Sequence, residues 1–159
     1  MERLLKELIE RGETISAMES CTGGGLSNAI TNIPDASKII GFSAMTYNNF
    51  FKEKMGVSEQ AIDRYSVYSQ EVADDMAKKI SMFTGSTYGV GITGKLMKAD
   101  ENNLAGSDDT VFVAIYDSKE DEYYDMEMKV HQATRPDNKK EVIDAFVEKF
   151  LEIMKNKTK

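Results

Sequence analysis

The residues best suited to chemistry lie near the N-terminus, in the run Ser20-Cys21-Thr22-Gly23-Gly24. Hydroxyl and thiol groups are potential nucleophiles, and a glycine backbone lets a ligand approach closely. The preceding residues predict a strand and the following ones a helix, and open α/β sheets bind ligands at such junctions. Spacing alone leaves two interpretations open: a substrate- or anion-binding turn, or an ordinary strand–helix turn in which Thr22 caps the helix.

Helices and strands alternate over the first two-thirds of the chain, and they must hold this turn in place. Ser58 and Ser69 predict the caps of two helices, and the apolar stripe from Val142 to Met154 predicts a long final helix. Five strands are predicted, at Thr14–Ser20, Ile39–Tyr47, Thr87–Thr93, Thr110–Tyr116 and Tyr123–Val130. This order predicts an α/β fold, a three-layer α/β/α sandwich around a mixed sheet, with residues 1–159 forming a single domain.

The composition argues against several classes of function. A net charge of −7 disfavours binding to nucleic acid polymers, which requires a surplus of Lys and Arg. The apolar stretches are too short to cross a bilayer and no signal peptide opens the chain, so we expect a cytoplasmic protein without membrane contact. One cysteine excludes an intramolecular disulfide framework, and the sequence has no cluster of metal-ligand type, so we expect neither a metal nor a cofactor.

The single cysteine and the single histidine are too far apart in sequence to suggest a catalytic pair. Cys21 lies in the glycine turn, whereas His131 lies near the end of the last predicted strand. Without an evident histidine partner, Cys21 is better interpreted as a small buried residue than as a nucleophile. We expect His131 at the surface.

The glycine turn is one of four segments that occur together and in a set order. They are Glu19-Ser20-Cys21-Thr22-Gly23-Gly24, then Thr46-Tyr47-Asn48-Asn49 followed by Lys52 and Met55-Gly56-Val57, then Ser66 to Ala73, and finally Gly89-Val90-Gly91-Ile92-Thr93-Gly94. Together they resemble the competence-damage-inducible protein family, whose C-terminal domain acts as a nicotinamide mononucleotide deamidase. The resemblance covers residues 1–94 well, and the predicted hairpin and final helix follow in the expected places.

The resemblance implies an amidohydrolase that converts nicotinamide mononucleotide to nicotinic acid mononucleotide and ammonia. Amide hydrolysis needs an activated nucleophile, a group that moves protons, and donors for the developing oxyanion. Ser20 matches the family's nucleophile and Lys52 its base, which requires burial or nearby cations to lower the pKa of the lysine. Taken without the resemblance, Lys52 would be one of many lysines on a helix surface.

Further residues acquire binding roles through the same resemblance. Tyr47 and Thr93 match family positions that line the pocket, and Thr22, Gly23 and Gly24 would offer donors to the nucleotide phosphate or the oxyanion. Taken alone, the tyrosine would be an aromatic at the edge of the core and the strand threonine an ordinary strand residue. The family tends to self-associate, which implies a homo-oligomer.

Two segments depart from the family pattern. The family has a substrate-wrapping loop rich in Gly and Pro after its Thr-Gly pair, whereas residues 95–106 contain one glycine and no proline. The acidic cluster in this loop is expected to repel a phosphate. Before the final helix the family has a Gly-x-Arg whose Arg contacts the ligand. Residue type favours Arg135 for this role and distance from the helix stripe favours Lys139, so both remain candidates.

These observations leave three functions open. The first is an active deamidase of a small nucleotide that uses Ser20 and Lys52. The second is a family member that has lost catalysis and acts as a nucleotide-binding or protein-interaction module. The third is the same hydrolytic chemistry on another small amide, because the altered loop would reshape the pocket. The intact Ser20, Tyr47, Lys52 and Thr93 favour retained catalysis.

Overall fold

A computed structural model describes residues 1–157 of the chain. In chain order the elements are α1 (Glu2–Arg11), β1 (Ile15–Glu19), α2 (Gly25–Thr31), a 3₁₀ turn (Ala36–Lys38), β2 (Ala44–Met45), α3 (Asn49–Lys54), α4 (Glu59–Tyr65), α5 (Gln70–Thr84), β3 (Tyr88–Gly94), β4 (Thr110–Asp117), β5 (Glu122–Lys129) and α6 (Arg135–Lys157). The predicted caps are confirmed, because the side chains of Ser58 and Ser69 accept hydrogen bonds from the first turns of α4 and α5.

The strands form one mixed sheet in the order β2-β1-β3-β4-β5. Strand β1 pairs in parallel with β2 and β3, whereas β4 is antiparallel to both β3 and β5. The parallel part therefore brings the carboxyl ends of β1, β2 and β3 to one edge of the sheet, where ligands of such folds bind.

The two faces of the sheet are covered by different helices. Val90 and Ile92 on β3 belong to the larger core cluster, together with residues of α1, α2 and α6. Met18 on β1 packs instead with α5 residues such as Met76, on the other face. Because side chains alternate along a strand, both faces are buried and the predicted three-layer α/β/α sandwich with a mixed sheet is confirmed.

Helix α5 approaches the sheet at two glycines of β3. A Cβ atom on Gly89 would overlap the carbonyl oxygen of Ala77, and one on Gly91 would overlap that of Ala73. Glycine at these two positions removes the side chains that would otherwise separate helix from strand. This close packing fixes β3 between α5 and the opposite helical layer.

The predicted strand over Ile39–Tyr47 is wrong in its extent, since β2 covers only Ala44–Met45. The segment before it still runs beside β1, but with irregular pairing. The Ile15 N–H donates to the carbonyl of Ile39, whereas the Ala17 N–H donates to the side-chain hydroxyl of Ser43. A side-chain acceptor therefore replaces the backbone acceptor that a regular ladder would use.

Within residues 1–157, no helix is long and apolar enough to cross a membrane.

Candidate active site

The carboxyl ends of the three parallel strands open into a cavity of about 690 Å³. This volume lies in the range that small-molecule sites occupy. Ser20 follows β1, Tyr47 follows β2 and Lys95 follows β3, and all three line the cavity. Lys52 from α3 and Arg135 from the start of α6 complete its principal polar groups.

Ser20 and Lys52 are brought into direct contact, with the lysine Nζ donating to the serine Oγ at 3.1 Å. A second hydrogen bond, at 2.7 Å, runs from the same Nζ to the carbonyl oxygen of Thr46. Lys52 is held by a short helix whose cap is Asn48, and its own carbonyl accepts from the N–H of Val57. The backbone of Lys52 is therefore fixed by the capped helix before it and by Val57 after it, and the residue is 1% exposed.

Burial sets the protonation behaviour of this lysine. Desolvation penalises the charged ammonium and lowers the pKa of Lys52 to about 8, with an opposing influence from Cys21. Both of its hydrogen-bond partners, Ser20 Oγ and the Thr46 carbonyl, are uncharged groups. An amine with this pKa is partly neutral near pH 7, and a neutral amine beside a hydroxyl can accept its proton.

Cys21 lines the same cavity but differs sharply from its neighbour. The residue is buried, and burial raises the pKa of its thiol to about 12. The thiol therefore stays protonated near neutral pH, in a form that is a poor nucleophile. The expectation that Cys21 is a small buried residue is confirmed.

The turn after Ser20 is organised by Glu19, a role that the sequence alone does not indicate. Its buried carboxylate accepts from the hydroxyl of Thr22 at 2.7 Å, the N–H of Leu26 at 2.8 Å, and both the N–H and hydroxyl of Ser27. A carboxylate of the chain itself thus occupies the N-terminus of α2, the position at which an external anion was expected. The family signature contained this glutamate, but residue type alone did not reveal its four bonds.

The glycine turn lies beside the cavity and not in its lining, so its expected binding role stays a prediction. The Thr22 hydroxyl is committed to Glu19, and the Gly23 N–H donates to the Ser20 carbonyl. Neither these two residues nor Gly24 is among the residues lining the cavity. The positive φ values of the two glycines, 60° and 91°, instead allow the chain to turn sharply from β1 into α2.

Thr93 also takes a supporting position and does not face the cavity. It is fully buried, and its hydroxyl donates to the carbonyl of Val67 at 2.9 Å. The following residue, Gly94, lines the cavity together with Val67. Thr93 therefore ties the end of β3 to the segment before α5, and a binding role for its hydroxyl stays a prediction.

The structure separates the two basic residues that sequence left as alternatives. Arg135 lines the cavity, and its guanidinium donates to the hydroxyl of Tyr47 at 3.4 Å. Lys139 lies one turn further along α6, with its Nζ against the backbone of Gly23 and away from the lining. Arg135 is the basic group that α6 contributes to the cavity.

The loop after β3 contributes both basic and acidic side chains to the cavity. Lys95 and Lys98 both line the cavity, and Asp100 is the acidic residue among the lining groups. That carboxylate is already engaged, because it accepts from the hydroxyl of Tyr68 at 2.5 Å and from the N–H of Asn102 at 3.0 Å. Two lysines and one engaged carboxylate of this loop therefore line the cavity, and the expected repulsion of a phosphate stays a prediction.

No group of three or more potential metal ligands occurs within residues 1–157. His131 is exposed, as expected, and interacts with the carboxylate of Glu141 at 3.1 Å.

The site is a small-molecule cavity at the strand ends of an α/β sandwich, with a buried serine–lysine contact inside it. The family follows from comparison with known proteins. The model of the CinA C-terminal domain matches residues 1–157. This chain belongs to the CinA C-terminal domain family. The described part of the chain is thus accounted for by one family along its whole length.

Sequence relatives match part of the chain. A CinA-like protein of Prochlorococcus marinus (strain MIT 9215) is 39% identical over 92 residues, which cover 57% of this chain and 22% of that protein. A relative in Caldanaerobacter subterraneus subsp. tengcongensis is 39% identical over 94 residues, covering 58% of this chain and 23% of its own length. The matched part is therefore less than a quarter of these relatives.

Solved structures match nearly all of the chain. A CinA superfamily protein of Escherichia coli superposes with a TM-score of 0.83 at 25% identity, covering 95% of this chain and 86% of that one. The competence or damage-inducible protein of Enterobacter asburiae gives a TM-score of 0.86 at 19% identity, covering 96% and 94%. The second likeness is one of fold alone.

Proposed function

We propose that this protein hydrolyses the carboxamide of nicotinamide mononucleotide, giving nicotinic acid mononucleotide and ammonia. The observation that carries the proposal is the 3.1 Å contact between the Nζ of Lys52 and the Oγ of Ser20, inside a cavity at the carboxyl ends of parallel strands. Burial that lowers the pKa of this lysine to about 8 supports its use as a base near neutral pH.

The first half of the proposed reaction forms an ester on the protein. The neutral amine of Lys52 takes the hydroxyl proton as the Oγ of Ser20 bonds to the carboxamide carbon. The resulting oxyanion is stabilised by hydrogen-bond donors at the cavity wall until the carbonyl re-forms. The carbon–nitrogen bond then breaks while the Lys52 ammonium returns its proton to the departing nitrogen, which leaves as ammonia. The acyl group remains on Ser20, and the lysine is again neutral.

The second half releases the carboxylic acid. Lys52 accepts a proton from a water molecule, whose oxygen attacks the ester carbon. The carbon–Oγ bond breaks, the Ser20 oxygen takes the proton back from the lysine, and the carboxylate leaves. One water is consumed in the whole cycle, and one ammonia and one acid are produced. Cys21 takes no part, because its thiol stays protonated.

We assign the orientation of the substrate to groups on the β2 side of the cavity. Arg135 and Tyr47 are joined at 3.4 Å, and both line the cavity beside Ser20. A guanidinium and a phenol offer donors and a flat surface to a nucleotide. Thr93 would act by holding the cavity wall and Glu19 by fixing the turn that carries the nucleophile.

The proposal is tested by following ammonia release from nicotinamide mononucleotide with the purified protein. Ser20→Ala should reduce turnover about 10⁴-fold or more, because the nucleophile is lost while binding groups remain. Cys21→Ala is the matched variant at the adjacent residue and should retain turnover, since its thiol is not ionised.

Each outcome of this assay has a separate meaning. Turnover that survives Ser20→Ala contradicts the nucleophile assignment. Binding of the nucleotide by calorimetry without any turnover in the unsubstituted protein favours the alternative, a binding module without catalysis. If other small amides are hydrolysed but this nucleotide is not, the proposed serine–lysine chemistry stands and the proposed substrate is wrong.

We also propose that the protein is a homo-oligomer. Phe50 and Phe51 on α3 are each 56% exposed with their rings 5.2 Å apart, and Met45 on the edge strand β2 is also exposed. Clustered exposed aromatic residues and an uncovered sheet edge both favour contact with another chain. Sedimentation equilibrium measures the assembly, and Phe51→Glu should shift it towards the monomer.

A further inference from the structure

Lys95 is the first residue beyond β3, and its side chain is 2% exposed at the cavity wall. Its backbone N–H donates to the carbonyl of Thr110 at 3.0 Å, so the residue is still anchored to β4. The ammonium lies 3.3 Å from a carboxylate oxygen of Asp108 and 4.9 Å from the centre of the Tyr68 ring. The position of this buried cation is therefore defined by Thr110 on β4 and by two connecting segments, which carry Asp108 and Tyr68.

The neighbours of Lys95 compensate its charge only in part. Lysines are seldom buried unless paired, because removing a charge from water is costly. The partner carboxylate of Asp108 is 54% exposed and so retains water as a competing partner. An ammonium has three donors, and within residues 1–157 the structure records one acceptor for them, on Asp108. Donors of Lys95 therefore remain for a ligand in the cavity.

The sheet order places this cation beside the proposed nucleophile. Strand β3 is the direct neighbour of β1, and the N–H of Ser20 donates to the carbonyl of Ile92. Tyr47 and Arg135 lie on the other side of Ser20, next to β2. A ligand whose reacting carbon lies at Ser20 thus has Arg135 and Lys95 as separate cations of the cavity lining.

The position at which a phosphate would ordinarily be expected is not available. The N-terminus of α2 is occupied by the Glu19 carboxylate, which would repel a second anion. On the β3 side, in contrast, Lys95, Lys98, Asn102 and Asn103 line the cavity. Asp100 is on the same wall but is bound to the Tyr68 hydroxyl and the Asn102 N–H.

We propose that Lys95 is a specificity-determining residue that binds the phosphate group of a small ligand on the β3 side of the cavity. The identity of that ligand as nicotinamide mononucleotide rests on the proposed function, whereas the phosphate site itself does not. An ammonium serves such a group as a point charge with adjustable donors. The loop that departs from the family pattern thereby supplies the recognition of charge.

The experiment compares nicotinamide mononucleotide with nicotinamide riboside, which lacks the phosphate, by calorimetry. Lys95→Met should weaken binding of the mononucleotide about tenfold or more and leave binding of the riboside within about twofold. Lys129→Met is the matched control, because Lys129 pairs with the neighbouring Asp109 at 3.7 Å outside the cavity lining, and it should change neither affinity.

Asp108→Asn separates binding from a purely structural ion pair. This variant removes the partner of Lys95 but keeps the cation, so the mononucleotide should bind as tightly as before or more tightly. A structural pair predicts instead that both substitutions lower the unfolding temperature and that neither changes the preference for the phosphorylated ligand. Lys95→Gln removes the charge but keeps a polar side chain of similar length, and it should lose that preference, which provides a test even if Lys95→Met fails to fold.

A second measurement tests the phosphate site independently of the proposed substrate. Inorganic phosphate should raise the unfolding temperature of the unsubstituted protein and of Asp108→Asn, but not of Lys95→Met, because a ligand stabilises the state that binds it. If the mononucleotide is not bound while this phosphate effect depends on Lys95, the proposed substrate fails and the phosphate site stands. Equal phosphate effects with and without Lys95, or equal discrimination between mononucleotide and riboside, would overturn the proposal.

Discussion

Two lysines are buried at the same cavity, and they differ in the groups that surround them. Lys52 on α3 contacts two uncharged partners, the Ser20 hydroxyl and the Thr46 carbonyl. Lys95 after β3 contacts the carboxylate of Asp108 and the ring of Tyr68. Both side chains are almost fully removed from solvent. The partners, and not the extent of burial, distinguish the two sites.

One residue type can therefore serve two purposes in a single cavity. Neutral surroundings destabilise an ammonium, so burial lowers the pKa of Lys52 and makes a proton acceptor available. A carboxylate and an aromatic face both stabilise a cation, which suits Lys95 to charge recognition. We therefore expect substitutions of Lys52 to act on the chemical step and substitutions of Lys95 to act on affinity.

The largest effect that tests this comparison comes from Lys52→Met. The substitution keeps an unbranched side chain but removes the base, so kcat should fall about 10²- to 10⁴-fold. The Kd for nicotinamide mononucleotide should stay within about threefold, because the binding cations remain. Steady-state kinetics and calorimetry together measure both quantities.

The control for this prediction is the folded state of the variant. Cooperative unfolding near the temperature of the unsubstituted protein shows that the loss is chemical. A variant that binds the mononucleotide as poorly as Lys95→Met, with kcat preserved, would invert the assignment of the two lysines.

A smaller effect is expected from pH, again through Lys52. Its neutral fraction grows as pH rises towards about 8, so kcat/KM should increase about tenfold per unit below that value and then level off. The comparison predicts that binding of nicotinamide riboside, which lacks the phosphate, stays nearly constant over the same range. Initial rates between pH 6 and 9 measure the profile.

Folding must be followed across the same pH range, because the lysine also affects stability. Its pKa in the folded protein lies below the ordinary value of 10.5, so between about 8 and 10.5 the unfolded chain binds more protons. The contribution of Lys52 to stability therefore rises with pH in that window, and is least favourable below it. A flat rate profile from pH 6 to 8 in a folded protein would contradict the role of Lys52 as base.

Much of the fold was predictable from the sequence, for identifiable reasons. The caps at Ser58 and Ser69 and the stripe from Val142 to Met154 are local signals, so they predicted helices α4, α5 and α6 correctly. The segment before β2 was predicted poorly because its pairing with β1 uses the Ser43 side chain. That contact depends on a tertiary neighbour and leaves no periodic pattern.

The site was predictable where residue identity was enough. Ser20 and Lys52 were named from their segments, but their 3.1 Å contact and the burial of the lysine depend on the packing of α3 against the strand ends. The sequence marks Lys95 only as part of an altered loop, because no pattern in it indicates that this side chain is buried. Glu19 is likewise visible in the sequence only as part of a motif, although its four hydrogen bonds organise the turn.

Tyr68→Phe, next to Lys95, should change ligand affinity the least of these substitutions. The ring that lies 4.9 Å from the Lys95 ammonium is retained, whereas the hydroxyl that binds Asp100 at 2.5 Å is lost. Burial, with a further contribution from the Asp100 carboxylate, raises the pKa of the tyrosine, so the hydroxyl is a donor at neutral pH. Affinity for the mononucleotide should change by less than about threefold, because the cation keeps its aromatic partner.

The loop itself should respond more than the affinity does. Releasing Asp100 removes a hydrogen bond to a charged group, so conformations in which residues 95–106 are detached from Tyr68 should become more populated. Trypsin should then cleave after the exposed Lys98 several-fold faster, on the order of threefold to tenfold. Limited proteolysis followed by mass spectrometry measures this rate. Unchanged cleavage together with a large loss of affinity would mean that the hydroxyl, and not the ring, maintains the Lys95 site, because ligand binding would then depend on the one group that the substitution removed.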